Sequence, residues 1–191
     1  SVTTSLVLAK NNVGGIYMPS FGINTIGDMH PGQGYYFYMD AAAELTYPAN
    51  SAQKAVAGNN ITPLAKSLVP SMNNTGKNST LIVSIENNDG NEIGIFNMND
   101  ELIGAGAVNN GVAAITIWGD DDVSQGVDGA KENEYLHAKL FKTKNNTMTN
   151  IPLLNIRELT NNTEQNALFY ETNTIYFAKS VSIDESVFGM S

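Results

Sequence analysis

Residues 86–141 read ENNDGNEIGIFNMNDELIGAGAVNNGVAAITIWGDDDVSQGVDGAKENEYLHAKLF. Apolar and polar residues alternate over Glu92–Phe96, Glu101–Val108 and Tyr135–Lys142, the period-two signature of half-buried β-strands. Gly111–Trp118 is almost continuously apolar, which predicts a strand buried on both faces. Gly104 and Gly106 interrupt the second of these strands, as expected at a β-bulge or where another backbone approaches closely. The intervening segments are rich in Asn, Asp, Glu and Gly.

The same pattern continues in both directions. Upstream, Ser79–Glu86 predicts a strand with Leu81, Val83 and Ile85 on one face. Downstream, Ala167–Tyr170, Thr174–Ala178 and Ser180–Ile183 read as strands, and Ile151–Leu159 reads equally as strand or helix. Near the N-terminus, Ser5–Lys10 and Ile16–Met18 flank a Gly-rich turn, and Pro19 ends the second strand. Gly22–Gly34 reads as loop, Tyr35–Met39 as a strong aromatic strand with one face in the core, and Ala43–Tyr47 as a further strand. Pro48–Asn60 is the expected boundary, with room for a short helical turn. The fold expected is all-β: an antiparallel β-sandwich over 61–191, a linker over 51–60, and a small β-rich unit over 1–50.

The 191 residues include 42% hydrophobic residues, enough for a packed core, but only 15% charged ones. Much of the polar surface must therefore be amide. Seven Asn-Asn pairs supply it, and Asn favours turns because it bonds nearby backbone and tolerates the left-handed conformation. A net charge of −9 and a single arginine, Arg157, argue against nucleic acid and anionic membrane surfaces as partners. With no Cys, disulfides and thiolate chemistry are excluded. No run of 18 apolar residues is present, so no helical membrane insertion is expected.

Asp120, Asp121, Asp122, Asp128, Glu132 and Glu134 place six carboxylates in fifteen residues, a candidate calcium site, although the spacing is not that of an EF-hand. Asn87, Asn88, Asp89, Asn91 and Glu92 form a second oxygen-rich turn. Trp118, Tyr36 and Tyr38 are candidate platforms for stacking on a sugar ring, set against the alternative that each is packed in the core. His30 and His137, the two histidines, have no Ser or Asp at a recognisable catalytic spacing, and no carboxylate pair stands out as a glycosidase would require. The sequons at Asn73, Asn78, Asn145 and Asn161 read as ordinary Asn-rich turns.

Three segments carry a resemblance. The first is Ile16–Gly27 with Pro31–Tyr35, which resembles a module of secreted surface proteins of Bacteroidetes. Asn91–Phe96, Gly104–Gly106, Ala114–Asp121 and Gly129–Glu134 resemble a second module that often follows it. Ser182–Asp184 through Gly189–Ser191 is similar to the lead-in to a type IX secretion sorting domain, though the Tyr-Pro-Asn-Pro-like segment that usually follows is not in this sequence. The resemblance implies a non-catalytic structural, adhesion or assembly module at the bacterial cell surface, with other surface-protein domains or subunits as partners. A carbohydrate-binding module with glycan ligands is the alternative. It also implies a strand upstream of Ser1, leaving an open sheet edge near Leu6–Leu8 for another segment or chain.

Overall fold

The computed structural model describes residues 5–44, 64–71, 75–121, 123 and 125–181. The chain divides into two units, Ser1–Pro63 and Leu64–Ser191. Both are built from strands, and the only helical element among the described residues is one 3-10 turn, Pro19–Phe21. The expected linker, 51–60, lies outside the described residues.

In the first unit, β1 (Leu6–Asn11), β2 (Ile16–Met18), β3 (Ile23–Asn24) and β4 (Tyr35–Met39) form an antiparallel sheet in the order β3-β2-β1-β4. β1 is an interior strand: Ala9 and Lys10 face Tyr17 and Ile16 on one side, and Leu6–Asn11 face Met39–Tyr35 on the other. The expected open edge at Leu6–Leu8 is therefore corrected. β4 returns to cover β1 and becomes the edge strand itself among the described residues. Leu8, Ile16, Met18 and Ile23 share one buried face, and Lys10 is buried with them. β4 fulfils the strand expectation but not the core expectation, since none of its five residues is fully buried. Of the strand expected over Ala43–Tyr47, Ala43 and Glu44 are irregular and the rest lies outside the described residues.

The second unit is a ten-stranded sheet in the order β10-β9-β6-β7-β8-β5-β14-β11-β12, with β13 also paired to β9. Its strands are β5 (Asn78–Ile85), β6 (Glu92–Phe96), β7 (Leu102–Ala107), β8 (Val112–Trp118), β9 (Tyr135–Lys142), β10 (Thr147–Ile151), β11 (Leu154–Glu158), β12 (Thr163–Gln165), β13 (Leu168–Phe169) and β14 (Ile175–Ser180). β6, β7 and β8 form a meander with β5 beside β8, which is Greek-key connectivity. Gln165 belongs to one margin of the sheet and Leu168 pairs with Leu136 near the other. Three peptide steps, at most about 11 Å, join them, so the sheet must curl until its margins nearly meet. Every pairing between these strands is antiparallel except β5 with β14, where Thr80–Ile85 runs parallel to Ile175–Ser180.

Curling gives the sheet one shared interior. Leu81, Val83 and Ile85 meet Ile93, Ile95, Ile115, Ile117, Leu136, Leu140, Ile156 and Tyr176 there. β8 alternates, with Ala114 and Thr116 only partly buried. The strands buried on both faces are instead β5, where Thr80 and Ile82 are inaccessible as well, and β6, whose five residues are all buried. Gly104 and Gly106 answer to both expected causes. The register shifts between Ile95 and Phe96 opposite Leu102–Gly104. A Cβ at Gly104 would sit 2.6 Å from the Thr116 carbonyl oxygen, and one at Gly106 would sit 2.5 Å from that of Ala114. The ambiguous stretch Ile151–Leu159 resolves as strand, β11. Asn87, Asn110, Asn146 and Asn162 have positive φ, so four of the Asn pairs do turn the chain through the left-handed region.

Candidate functional site

The acidic loop leaves the sheet at the end of β8 and returns at the start of β9. A neck of backbone bonds closes it: Asp120 N–H donates to the Ala130 carbonyl at 2.8 Å, and Ala130 N–H to the Trp118 carbonyl at 2.9 Å. A Cβ at Gly119 would collide with the Tyr170 hydroxyl, so only Gly lets that ring close the floor of the neck. Tyr170 N–H donates to the Glu134 carbonyl at 2.9 Å. Burial pushes the Tyr170 phenol up to about 12, with the nearby Glu132 charge acting in the same direction and the hydrogen bond to Thr172 against it.

Within the loop the carboxylates turn toward backbone donors. Asp120 Oδ1 accepts from Asp128 N–H at 3.0 Å, and Asp128 Oδ1 accepts from Asp121 N–H at 3.1 Å, a reciprocal clasp. Asp121 Oδ1 accepts from Val123 N–H at 2.8 Å, and Glu134 Oε2 from Lys131 N–H at 2.9 Å. Glu132 reaches across to Thr172 N–H at 3.2 Å. Asp122 lies outside the described residues. The structure thus brings Asp120, Asp121 and Asp128 together, while Glu132 and Glu134 serve separate turns. Among the described residues, no three His, Asp or Glu side chains converge as metal ligands would.

The second oxygen-rich turn is a structural corner. Asp89 Oδ1 accepts from Gly111 N–H at 2.8 Å, and Asn91 Oδ1 accepts from Thr143 N–H at 3.2 Å. Glu92 is buried and faces three successive backbone donors: Lys66 N–H at 2.8 Å and Leu68 N–H at 2.7 Å, with Ser67 N–H at 3.1 Å from both oxygens.

The aromatic candidates separate. Trp118 is only 6% exposed. It still belongs to β8, paired with Asn78, so the sheet holds it and the loop does not present it. Its ring is withheld from stacking on a ligand. Tyr36 is 46% exposed on β4, with Lys10 Nζ 5.5 Å from its ring centroid. Tyr38, on the same face, is partly buried. Burial lowers the Lys10 ammonium from its ordinary range. Tyr35 braces the Gly/Pro loop, its hydroxyl accepting from His30 N–H at 2.8 Å and donating to Gln33 Oε1 at 2.9 Å.

One cluster has no counterpart in the sequence reading. Asp100, in the β6–β7 turn with φ +63°, accepts from Lys139 Nζ and lies 3.1 Å from His137 Nε2. Phe96 stacks on His137 at 5.8 Å and carries Lys139 Nζ 4.6 Å from its ring centroid. Hydrogen bonds from Lys139 and then His137 hold the Asp100 carboxyl below the usual range. The available signal was the alternation of His137 and Lys139 on β9, but only the β6–β9 register brings Asp100 opposite them.

Among the described residues, no helix is long and apolar enough to cross a membrane. Compared with known proteins, the chain is matched by no family model, no curated protein and no solved structure.

Proposed function

We propose that this chain is a non-catalytic extracellular module of a bacterial surface protein, working in adhesion or assembly. The observation that carries this reading is the contrast between the sheet edges found among the described residues. In the second unit, β10 (Thr-Met-Thr-Asn-Ile) and β12 (Thr-Glu-Gln) are mostly polar. Such edges discourage pairing with other chains. In the first unit, β4 is Tyr-Tyr-Phe-Tyr-Met, with no charge and no fully buried residue. An uncharged aromatic edge suits addition of an extended strand from another surface-protein subunit, where backbone bonds give affinity and alternate side chains give register. The resemblance of 16–35 and 91–134 to secreted Bacteroidetes modules supports the extracellular setting.

Sedimentation of the chain over a concentration range, with and without an extended peptide of the β4 sequence, tests this. Association that is lost in Tyr36→Glu is the expected result. A monomer under all conditions, with slow amide exchange along β4 in the isolated chain, would overturn the reading.

A second reading is glycan binding, favoured by the half-exposed ring of Tyr36. Titration against a glycan panel should then show saturable binding that Tyr36→Ala removes. Calcium at the Asp120–Asp121–Asp128 clasp is compatible with either reading. If calcium binds there, chelation lowers the melting temperature through linkage to the native state, and Asp121→Asn and Asp128→Asn weaken that dependence. Identical melting with excess calcium and with chelator would exclude it.

A further inference from the structure

We propose that Asn110 is a latent deamidation site that Asp89 holds in check. Asn110-Gly111 is the one Asn-Gly dipeptide in the chain. Glycine offers no side chain to hinder attack of its backbone nitrogen on the preceding amide, so this dipeptide is the sequence most prone to cyclise. It forms the two central residues of the β7–β8 hairpin, with φ +50° and +73°, the conformation of a type I′ turn. Asn109 and Val112 close it with reciprocal bonds of 2.9 and 3.0 Å. The Asn110 side chain is exposed, so water reaches it.

The reaction is fully specified by these atoms and water. Gly111 N attacks Asn110 Cγ, an N–Cγ bond forms, the Cγ–Nδ2 bond breaks, and ammonia leaves with the proton from Gly111 N. Water then opens the resulting succinimide. Cleavage of the new N–Cγ bond gives Asp, and cleavage of the original backbone bond gives isoaspartate.

The structure clamps the attacking group. Gly111 N–H is held by Asp89 Oδ1 at 2.8 Å, and the Gly111 carbonyl accepts from Ile85 N–H at 2.8 Å. Asp89 is held in turn, because the next residue, Gly90, donates its N–H to the Val108 carbonyl at 3.0 Å. The Asp89 carboxylate therefore occupies the proton that must be lost, and its charge opposes the negative charge that develops on that nitrogen. Asp89 is a positioning residue here. The product would put a second carboxylate beside Asp89, and isoaspartate would add a methylene to a two-residue turn whose register has no place for it.

The test follows Asn110 by peptide mapping and isoaspartate assay during incubation of the full chain at mildly alkaline pH. Wild type is compared with Asp89→Ala and Asp89→Asn, and with wild type unfolded in urea. A core variant, Leu168→Ala, controls for loss of global stability. Folded wild type should keep Asn110, whereas unfolded chain should lose it readily. Asp89→Ala should raise the folded-state rate about tenfold or more, the factor expected when a hydrogen bond to a charged acceptor no longer opposes local opening. Asp89→Asn, which keeps an acceptor oxygen, should fall between, and Leu168→Ala should accelerate Asn110 less than Asp89→Ala does. The proposal is overturned if Asp89→Ala leaves the rate unchanged, if it slows the reaction as loss of a general base would, or if Leu168→Ala accelerates it equally.

Discussion

Glu92 should be among the most sensitive polar positions in the second unit. Its side chain lies on the outer face of β6, alternating with the inward Ile93 and Ile95, and is only 5% exposed. Three consecutive N–H groups of residues 66–68 donate to its two oxygens at 2.7–3.1 Å. Leu68 is buried next to this clasp, and a Cβ at Gly94 would lie 3.1 Å from its Cδ1. Glu92→Gln keeps the shape but replaces one acceptor oxygen with an amide donor, which cannot accept from the N–H groups that face it. Of those groups only Leu68 belongs to a buried residue; Lys66 and Ser67 are exposed and find water when released. The cost should therefore be that of about one buried hydrogen bond to a charged group plus partial loss of the others, roughly 2–3 kcal/mol. For a unit of this size that is a fall in melting temperature of roughly 6–12 °C. Thermal melts followed by circular dichroism give the total, and amide exchange at 66–68 locates it. Unchanged melting together with unchanged exchange at Leu68 would refute the idea that this carboxylate pins the segment to the sheet.

Other positions give independent checks. Because Lys139 and His137 lower the folded-state pKa of Asp100, its contribution is present above the ordinary carboxylate pKa near 4 and is lost as pH falls through the lower folded value. The effect is small at so exposed a site, and Asp100→Asn should remove it from the acid limb of a pH–stability curve. Tyr170 is shifted the other way: its folded value of about 12 means stability that is complete below the ordinary phenol pKa near 10 and declines as pH rises toward 12. The ultraviolet signal of its ionisation should thus appear only with alkaline unfolding, and Tyr170→Phe should reduce that pH dependence. Gly119→Ala drives a methyl into the Tyr170 hydroxyl, and Tyr170→Phe in the same chain should recover part of the lost melting temperature. Equal melting of the single and double variants would show that the neck relaxes in some other way.

The strands were legible in the sequence because their signal is local. Alternation located β5, β6, β7 and β9, and paired Asn marked turns that do adopt positive φ at Asn87, Asn110, Asn146 and Asn162. What local pattern could not give was partnership. A parallel neighbour for β5 required β14, over ninety positions later, and that pairing helps bury β5 on both faces. Alternation gives β4 a core face in the sequence; at the sheet edge among the described residues, all five of its residues stay at least partly accessible. Trp118 stands at the junction of strand and acidic loop, and sequence cannot say to which it belongs; pairing with Asn78 assigns it to the strand. The Glu92 clasp spans 24 to 26 positions and the Asp100 cluster 37 to 39, so neither leaves a trace in local spacing.

The acidity of the chain acquires a structural reading from these contacts. Asp89, Glu92, Asp120, Asp121, Asp128, Glu132 and Glu134 each accept from at least one backbone N–H. A fold made of many short strands has many turns, and each turn leaves N–H groups that no ladder satisfies. Helical chains answer unpaired donors mainly at helix caps, whereas this one must answer them at every corner. Carboxylate and amide oxygens do so with side chains short enough to reach the nearby backbone. Lys and Arg carry donors only and can do nothing for an unpaired N–H. Seven of the nineteen Asp and Glu side chains thus serve one requirement of the architecture. The requirement also constrains any ligand at the acidic loop. A cation there would have to share oxygens already turned toward N–H groups, and Asp120 or Asp128 could swing toward it only by releasing the bonds that tie Asp120 and Asp121 to Asp128.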